Sequence, residues 1–439
     1  MSHKPGPWVA ALVLALAGGA AMADTAVAPL SRFENLTVTA IELAGQKVTK
    51  EHVIRREILT RVGEPLRVGV VDEDVQRLDN LSIFAEVAVE GQAEGNGVRL
   101  TFRFKEMPSW IPLIGASYNE QDGFSAGPKI SALNLTGRGI SVNGKAYFGG
   151  SKKYEVGLSW PWISGDHVSL NFRGARLSRY DELNEFQETS YEFTPQVGRY
   201  IGEHGRLKGK FSLFRMKSDV DGKTLSPDND DQLSRLGASF GWDTRDSWRF
   251  PTTGWLNEIE VWNTGLLGGD GDFWSVNLDV RRWIPTVKGH RLMLSGLASL
   301  QSGTVEEDVP VYMIYRLGGA NSIRGYNITE LGKTLYGKNQ LLGTAEYSIN
   351  LLPLQRWDVW KFAFRLGLDV ALFADVGTAW SESSEFVAKR ARGGAGAGLR
   401  LLVPGAEMVR LDVGWSQQGG FQFHLAGSTK PASQRNRLR

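Results

Sequence analysis

The feature that most constrains this chain is an alternation of apolar and polar residues that recurs from Trp110 onward. Residues 168–173, 274–281 and 409–415 each carry an apolar side chain at every second position, with a polar or small residue between. A period of two is typical of half-buried β-strands, because successive side chains of a strand point to opposite faces of the sheet. About 16 such segments can be placed, each near the length that crosses a bilayer at a tilt. The chain beyond residue 110 is therefore predicted to be all β.

Two environments produce this alternation: a soluble sandwich with an apolar core, or a membrane barrel whose apolar face meets lipid. The polar face is unusually charged for a packed sheet, which favours the barrel. Six tryptophans lie near segment ends, where an interfacial belt belongs: Trp160, Trp162, Trp255, Trp262, Trp283 and Trp380. The connections also alternate in length, as short periplasmic turns and long external loops do. The tight ones are 134–137, 201–204 and 403–406, and the long ones are 177–185, 218–231 and 303–337.

The composition excludes several other classes. No internal stretch offers the roughly 20 consecutive apolar residues that a spanning helix needs. The chain has no cysteine, so a disulfide framework is excluded. Its formal net charge is +2 over 439 residues, without a basic block, which argues against nucleic-acid binding.

The N-terminus has the pattern of a secretory signal peptide. A short basic start precedes an apolar run over residues 8–20, and Ala21-Met22-Ala23 forms an A-x-A cleavage site. The run is too short for a membrane span. We therefore predict a signal peptide at residues 1–23 and a mature chain that begins near Asp24.

Residues 33–106 are predicted to form one compact α/β unit in the order strand, helix, helix, strand, strand. Thr49 is a plausible N-cap for the first helix, which is predicted to carry Val53, Ile54 and Ile58 on one face. The second helix carries apolar residues on one face from Val71 to Leu81, and the three acids at 72–74 are expected in its first turn, where they suit the helix dipole.

This unit, in which residues 77–81 lead into Phe84, resembles a polypeptide-transport-associated (POTRA) domain. The segment that follows resembles the barrel of the bacterial surface antigen family, the superfamily of outer-membrane assembly factors and translocators. The resemblance implies an all-β transmembrane barrel of about 16 antiparallel strands. It would occupy residues 110–428, behind a POTRA domain at 33–106 and before a polar tail at 429–439.

The strongest mark of the resemblance is Arg324-Gly325-Tyr326, which looks like the family's arginine-glycine-aromatic loop motif. If the first strand rises from the periplasm, residues 303–337 form the sixth external loop. In this family that loop folds back into the lumen, so we name residues 303–337 the lumen loop. A buried guanidinium needs a carboxylate partner. Glu346 lies on the next strand, and Asp375 lies in Phe373-Ala374-Asp375-Val376-Gly377, which matches the family's F-x-D-x-G strand. These residues are predicted to lock the loop.

Two further motifs carry the resemblance, one at a turn between strands and one in the last strand. Asp243-Thr244-Arg245-Asp246, followed by Pro251 and Gly254, is similar to the family's periplasmic turn motif; a local turn ion pair without a functional role explains the same residues. Residues 421–425, with Phe421, Phe423 and Leu425 on alternate positions, resemble the C-terminal strand signal that barrels present to assembly machinery. Family members usually end at an aromatic residue, whereas this chain continues into its polar, basic tail.

Two motifs of other classes are present without their required setting. Gly123-Phe124-Ser125-Ala126-Gly127 fits the G-x-S-x-G hydrolase pattern, but it begins a predicted barrel strand instead of joining a strand to a helix. The glycine-rich run at 393–398 lacks the strand-to-helix setting of a dinucleotide loop, and its small residues suit the close approach of a neighbouring element. No enzymatic activity and no cofactor are expected.

The resemblance implies that the chain assists the insertion or translocation of polypeptides at the bacterial outer membrane. Its expected partners are outer-membrane lipid, client polypeptides or a periplasmic protein bound through the POTRA domain, and the barrel is expected to be monomeric. A single POTRA domain argues against a central assembly factor or a two-partner translocator. The alternative is a channel or lipid-handling barrel that moves small molecules or lipids.

Overall fold

The computed structural model describes residues 29–426, except for residues 120, 165–167, 249, 288, 360, 361 and 403–407. The predicted signal peptide, the tight connection at 403–406 and the C-terminal tail therefore lie wholly or largely outside the described residues. The chain divides into two compact units, one built mainly from residues 29–107 and one mainly from residues 108–426. Within the described ranges no helix has the length and hydropathy to cross a membrane.

The smaller unit has the predicted element order. Its elements are β1 (Thr37–Ala44), α1 (Glu51–Arg55), α2 (Val68–Asn80), β2 (Phe84–Glu94) and β3 (Gly97–Glu106). The three strands form one sheet with β3 in the centre, parallel to β1 and antiparallel to β2. Side chains on alternate positions of β3 are fully buried, and apolar residues of the two helices are buried as well: Val98, Leu100, Phe102, Val53, Ile54, Val71 and Leu78.

The helices differ from the prediction in their bounds, and one carboxylate holds the segment that follows α1. Helix α1 ends at Arg55 and leaves Ile58 outside it, and α2 begins at Val68, so its first turn holds no acid. Asp74 is fully buried and accepts hydrogen bonds from the Leu59 amide at 2.5 Å and the Thr60 amide at 3.2 Å. Those amides bind Asp74 instead of helical carbonyls. Burial raises the pKa of the Asp74 carboxyl, and the hydrogen bonds from Thr60 and Leu59 oppose that rise.

We predict that Asp74→Ala destabilises the smaller unit by about 1–3 kcal/mol, because the buried Thr60 amide and the partly buried Leu59 amide lose their acceptor. Hydrogen exchange of the whole protein should become faster at Leu59 and Thr60. The exposed acid Asp72 provides the matched control, and Asp72→Ala should leave exchange there unchanged. Equal exchange in both variants would contradict this role of Asp74.

The larger unit is one antiparallel sheet in which consecutive strands are neighbours. Its first eight strands are β4 (Trp110–Asn119), β5 (Gly123–Leu135), β6 (Ile140–Gly149), β7 (Ser151–Ser164), β8 (Val168–Asp181), β9 (Phe186–Ile201), β10 (Gly205–Ser218) and β11 (Asp230–Asp243). The second half comprises β12 (Gly254–Pro285), β13 (His290–Gln301), β16 (Asn339–Val359), β17 (Phe362–Trp380), β18 (Arg392–Leu402), β19 (Val409–Ser416) and β20 (Gly420–Ala426). The short strands β14 (Tyr315–Arg316) and β15 (Tyr336–Gly337) form a separate pair within the lumen loop.

Element β12 contains two strands. Its 32 residues would extend about 100 Å if straight, several times the thickness of a bilayer. Residues 256–264 pair with β11, whereas residues 275–285 pair with β13, so the chain doubles back between them. Gly265, Gly268 and Gly269 have positive φ at this bend. Counting both arms of β12, the sheet has 16 strands, which confirms the predicted fold class.

The polarity of the sheet is that of a membrane barrel. On β11, Phe240 and Trp242 are exposed, while Ser239 and Asp243 on the opposite face are buried. Large apolar side chains face outward in the same way on most other strands, and charged or amide side chains face inward. A soluble sandwich would show the reverse.

One predicted long loop is wrong. Residues 177–181 continue β8, so the connection to β9 spans only residues 182–185. The cause is a buried polar cluster on the inward face of this extension, where Arg179 pairs with Glu188 at 3.2 Å. The connections at 219–229 and across the lumen loop are long as predicted.

Candidate functional site

The lumen loop packs inside the barrel through two apolar clusters. One joins loop residues to the inward faces of strands β9 to β12: Val309, Tyr312, Met313 and Ile314 with Phe186, Phe214, Met216, Leu233 and Phe273. The other surrounds the arginine-glycine-tyrosine motif: Leu317, Ile323, Tyr326, Leu331 and Leu335 with Leu297, Leu342 and Ala379. Apolar side chains are out of place in a water-filled lumen, so the loop is what removes them from water.

Arg324 is 3% exposed and is surrounded by carboxylates. Its Nε donates to Asp375 Oδ2 at 2.7 Å and its Nη2 to Asp375 Oδ1 at 2.9 Å, a bidentate pair. The Arg324 amide also donates to Asp375 Oδ2 at 3.1 Å, and Nη1 donates to Glu346 Oε2 at 2.9 Å. The guanidinium lies 3.5 Å from the centroid of the Phe373 ring. The structure therefore brings together the residues that the sequence predicted as a lock.

Two members of this network were missed by the sequence reasoning. Arg400 donates to Glu346 Oε1 at 3.0 Å, and it also pairs with Asp412 at 2.5 Å. Asp412 lies 3.4 Å from Arg324, so two arginines share three carboxylates. Both residues occupy inward polar positions of their strands. The alternation of polar and apolar residues predicts that such a side chain points into the lumen, but it does not predict which of these charged side chains contact the lumen loop.

The loop approaches the wall closely because glycine lines its path. A Cβ atom at Gly394 would lie 1.8 Å from the Arg324 carbonyl oxygen, and one at Gly414 would lie 2.3 Å from the Gly325 nitrogen. Gly325 itself has a φ of +96°, which favours glycine. The interpretation of the 393–398 run as space for a close approach is confirmed.

The periplasmic turn motif forms a compact hydrogen-bonded turn. Arg245 makes a bidentate pair with Asp243, with both bonds at 2.8 Å. Asp246 accepts from the amides of Ser247 at 2.9 Å and Thr252 at 2.8 Å. Gly254 has a φ of +106°. These contacts describe a stable turn; whether the motif acts in function remains a prediction.

The turn and the lock share one cavity. A cavity of about 130 Å³ is lined by Arg245 and Pro251 from the turn, and by Arg324, Glu346 and Asp375 from the lock. Its wall therefore carries charged side chains of both signs, contributed by the turn and by the lock.

The two ends of the sheet form a seam between β4 and β20. These strands lie side by side, but among the described residues no backbone ladder joins them. Ile114 on β4 and Phe421 on β20 are 89% and 77% exposed, the highest values among the described large apolar side chains. Phe423 faces the same way, and Pro112 removes one backbone donor from the β4 edge. The edges of β4 and β20 can therefore each accept another strand through backbone hydrogen bonds.

Ser125 does not have the setting of a hydrolytic nucleophile. It is buried on β5, and its Oγ accepts from the Ser151 amide at 3.0 Å. Its other described hydrogen-bond contacts are with the Ser151 carbonyl and hydroxyl oxygens, each at 3.3 Å. A nucleophilic serine needs a base within hydrogen-bond reach.

We predict that Arg324→Ala destabilises the barrel by about 3–5 kcal/mol, because the buried Asp375 loses its bidentate counter-charge, while Glu346 keeps its pair with Arg400. The variant should insert, yet lose its compact gel mobility at a lower temperature than the parent. Arg215 pairs with Asp230 on the exposed surface, so Arg215→Ala is the matched control and should shift the transition little. Parental heat-modifiability together with full activity in Arg324→Ala would disprove the lock.

We predict that Ser125→Ala has no effect on function, because in the described part of the chain the hydroxyl bonds only to Ser151, at the start of β7. Ester hydrolysis by the purified protein should stay at background in parent and variant alike. Turnover that the parent shows and the variant loses would overturn the non-enzymatic interpretation.

The chain is similar to known proteins in both units. The family model described as "Omp85 superfamily domain" matches residues 134–429, and the POTRA model, "Surface antigen variable number repeat", matches residues 36–107. The outer membrane protein assembly factor BamA of Nitratidesulfovibrio vulgaris is 24% identical over 371 residues, covering 80% of this chain and 45% of the relative. BamA of Neisseria meningitidis serogroup B is 23% identical over 416 residues, covering 82% and 51%. The chain thus spans about half the length of these curated relatives.

Solved structures show the same fold. BamA from Haemophilus ducreyi lacking POTRA domains 1–3 superposes with a TM-score of 0.58 at 18% identity, covering 89% of this chain and 83% of that one. CdiB from Escherichia coli gives 0.55 at 14% identity, covering 92% and 77%. The family model that covers most of the sheet decides the assignment. The chain belongs to the Omp85 superfamily, as a 16-stranded transmembrane barrel with a POTRA domain before it.

Proposed function

We propose that this protein assists the insertion or translocation of polypeptides at the bacterial outer membrane, with its POTRA domain in the periplasm. The observation that carries the proposal is the state of the seam and of the lumen: no ladder joins the described residues of β4 and β20, while the lumen loop occupies the lumen. An unpaired strand edge is a template for another strand. The edges of β4 and β20 are therefore the surfaces on which a client strand would add.

Client recognition would use backbone hydrogen bonds. Strand addition obtains its affinity from main-chain groups, so it tolerates many client sequences. In the POTRA domain, β2 stands at one edge of the sheet and pairs with β3 on its other side. That edge offers a first contact for a client or a periplasmic partner. The proposed step forms and breaks only hydrogen bonds, so it requires no cofactor.

The rival function is a channel or lipid-handling barrel, and the filled lumen argues against it. A channel needs a continuous wet path and a firmly closed wall. Here the loop carries two apolar clusters into the lumen, and Tyr312 of the loop donates to Asp231 of the wall at 2.5 Å. Small conductance with a labile seam is therefore expected for this barrel.

We predict that covalent closure of the seam abolishes client assembly and leaves conductance small. The chain has no native cysteine, so introduced pairs are specific. Ala116 and Phe423 are exposed on the two edges, so Ala116→Cys/Phe423→Cys places one thiol on each edge for closure with a bifunctional thiol reagent that is cleaved by reduction. Gly115 is unsuitable, because a Cβ there would lie 2.0 Å from Tyr147 Oη. Assembly of a barrel client into liposomes and bilayer conductance are measured before and after reduction.

The control is Val413→Cys/Phe423→Cys, since these residues are already ladder partners on β19 and β20. Cross-linking that pair ties strands that never separate, so assembly should persist. If closing the seam leaves assembly intact and steady solute flux is large, the channel function is correct and the insertion function is wrong.

A further inference from the structure

The seam raises a physical question: which contacts hold β4 beside β20 without a backbone ladder. Side chains that cross the lumen are the alternative to a ladder. Two groups of buried hydrogen bonds run from the lumen loop to the wall, and they end on opposite sides of the seam.

The first group begins at Arg316, near the start of the loop. Its Nη2 donates to Asn184 Oδ1 at 2.6 Å, while its Nη1 donates to the Gly332 carbonyl at 2.8 Å, within the loop. Asn184 lies in the connection between β8 and β9, and its Nδ2 donates to Asp181 Oδ2 at 2.9 Å. An amide serves here because it accepts from the arginine and donates to the carboxylate at once.

The same group continues to the first hairpin of the barrel. Asp181 Oδ1 accepts from Gln121 Nε2 at 2.7 Å, and Gln121 Oε1 accepts from Arg179 Nη1 at 3.3 Å. Arg179 also donates to Asp122 Oδ1 at 3.2 Å. Gln121 and Asp122 form the turn between β4 and β5, so the group ends on the hairpin that contains one seam edge. Burial of every member makes each bond costly to break.

The second group holds the loop to the other edge. The Gly325 amide donates to Nε2 of His424, a buried residue of β20, at 3.1 Å. This geometry fits the imidazole tautomer with its proton on Nδ1. Ser416 Oγ donates to the Gly325 carbonyl at 2.6 Å and accepts from the Gly419 amide at 2.9 Å, which fixes the turn that leads into β20.

From this arrangement we propose that the lumen loop is a tether that joins the two edges of the seam through the barrel interior. Asn184 and His424 are its positioning residues: Asn184 joins the loop to the group that ends on the β4–β5 turn, and His424 is the residue of β20 itself that bonds the loop, beside Ser416 on β19. The tether limits how far the edges separate while it leaves their backbone groups free. Its importance for clients rests on the proposed function, but its effect on the seam does not.

The test measures the seam directly. Spin labels on Ala116→Cys and Phe423→Cys report the distance between β4 and β20 by pulsed dipolar spectroscopy in lipid nanodiscs, without any client. Asn184→Ala should raise the ratio of open to closed seam about tenfold, which equals about 1.4 kcal/mol. His424→Ala should act in the same direction. His424→Gln should restore the parental distances, because its side-chain oxygen can accept from the Gly325 amide.

A swap and a control separate the tether from a general loss of packing. Asn184→Asp places two carboxylates together and should open the seam, whereas Asp181→Asn/Asn184→Asp restores a donor and an acceptor and should close it. Ser299→Ala removes an equally buried lumenal hydrogen bond, from Gln340 at 3.1 Å, between two wall strands, and should change nothing.

Parental distances in the folded Asn184→Ala and His424→Ala proteins would overturn the proposal, and so would a swap variant that stays open. These outcomes do not depend on client assembly. If locking the seam has no effect on assembly while Asn184→Ala opens it, the proposed function fails and the tether stands.

Discussion

The buried guanidinium of Arg324 is the interaction on which the interior of the barrel depends. A charge removed from water costs several kcal/mol unless it is paired and hydrogen-bonded, and here the bidentate bond to Asp375 and the bond to Glu346 supply that compensation. The dependence is mutual, because the carboxylates are buried as well. An apolar cluster of the loop and the contacts of Gly325 surround this ion-pair network.

In this barrel, closing the wall and fixing its shape depend on different contacts, whereas in most barrels they depend on the same ones. In an ordinary barrel the closed ladder both completes the wall and fixes its shape. Here the side chains inside the lumen fix the shape, so the edges of the wall need not pair with each other. The exposed apolar side chains beside the seam, Ile114 and Phe421, fit the same division, since a neighbouring strand would have covered part of their surface.

The sequence predicted most of the fold because the alternation of period two is set by the bilayer itself. It also predicted the partners of Arg324, since the loop motif, which is weak alone, occurs together with acidic residues at the expected places on the next strands. It missed Arg400 and His424, because any inward position of a strand can hold a polar residue and alternation cannot pair distant positions. It misjudged Asp74 and residues 177–181 for a related reason. A local pattern does not show that a carboxylate or a guanidinium will be buried by a distant segment.

The contacts of the lumen loop also impose an order on the maturation of the barrel. The bond from Gly325 to His424 spans 99 residues, and the approach of Arg324 to Asp412 spans 88. Contacts of such long sequence separation form late, because a large chain loop must close first. The lumen loop cannot make all its contacts until the last hairpin, β19 and β20, has paired into the sheet. Its seating therefore marks the completion of the barrel, and a barrel halted before its final strands would keep the apolar clusters of its loop unsatisfied.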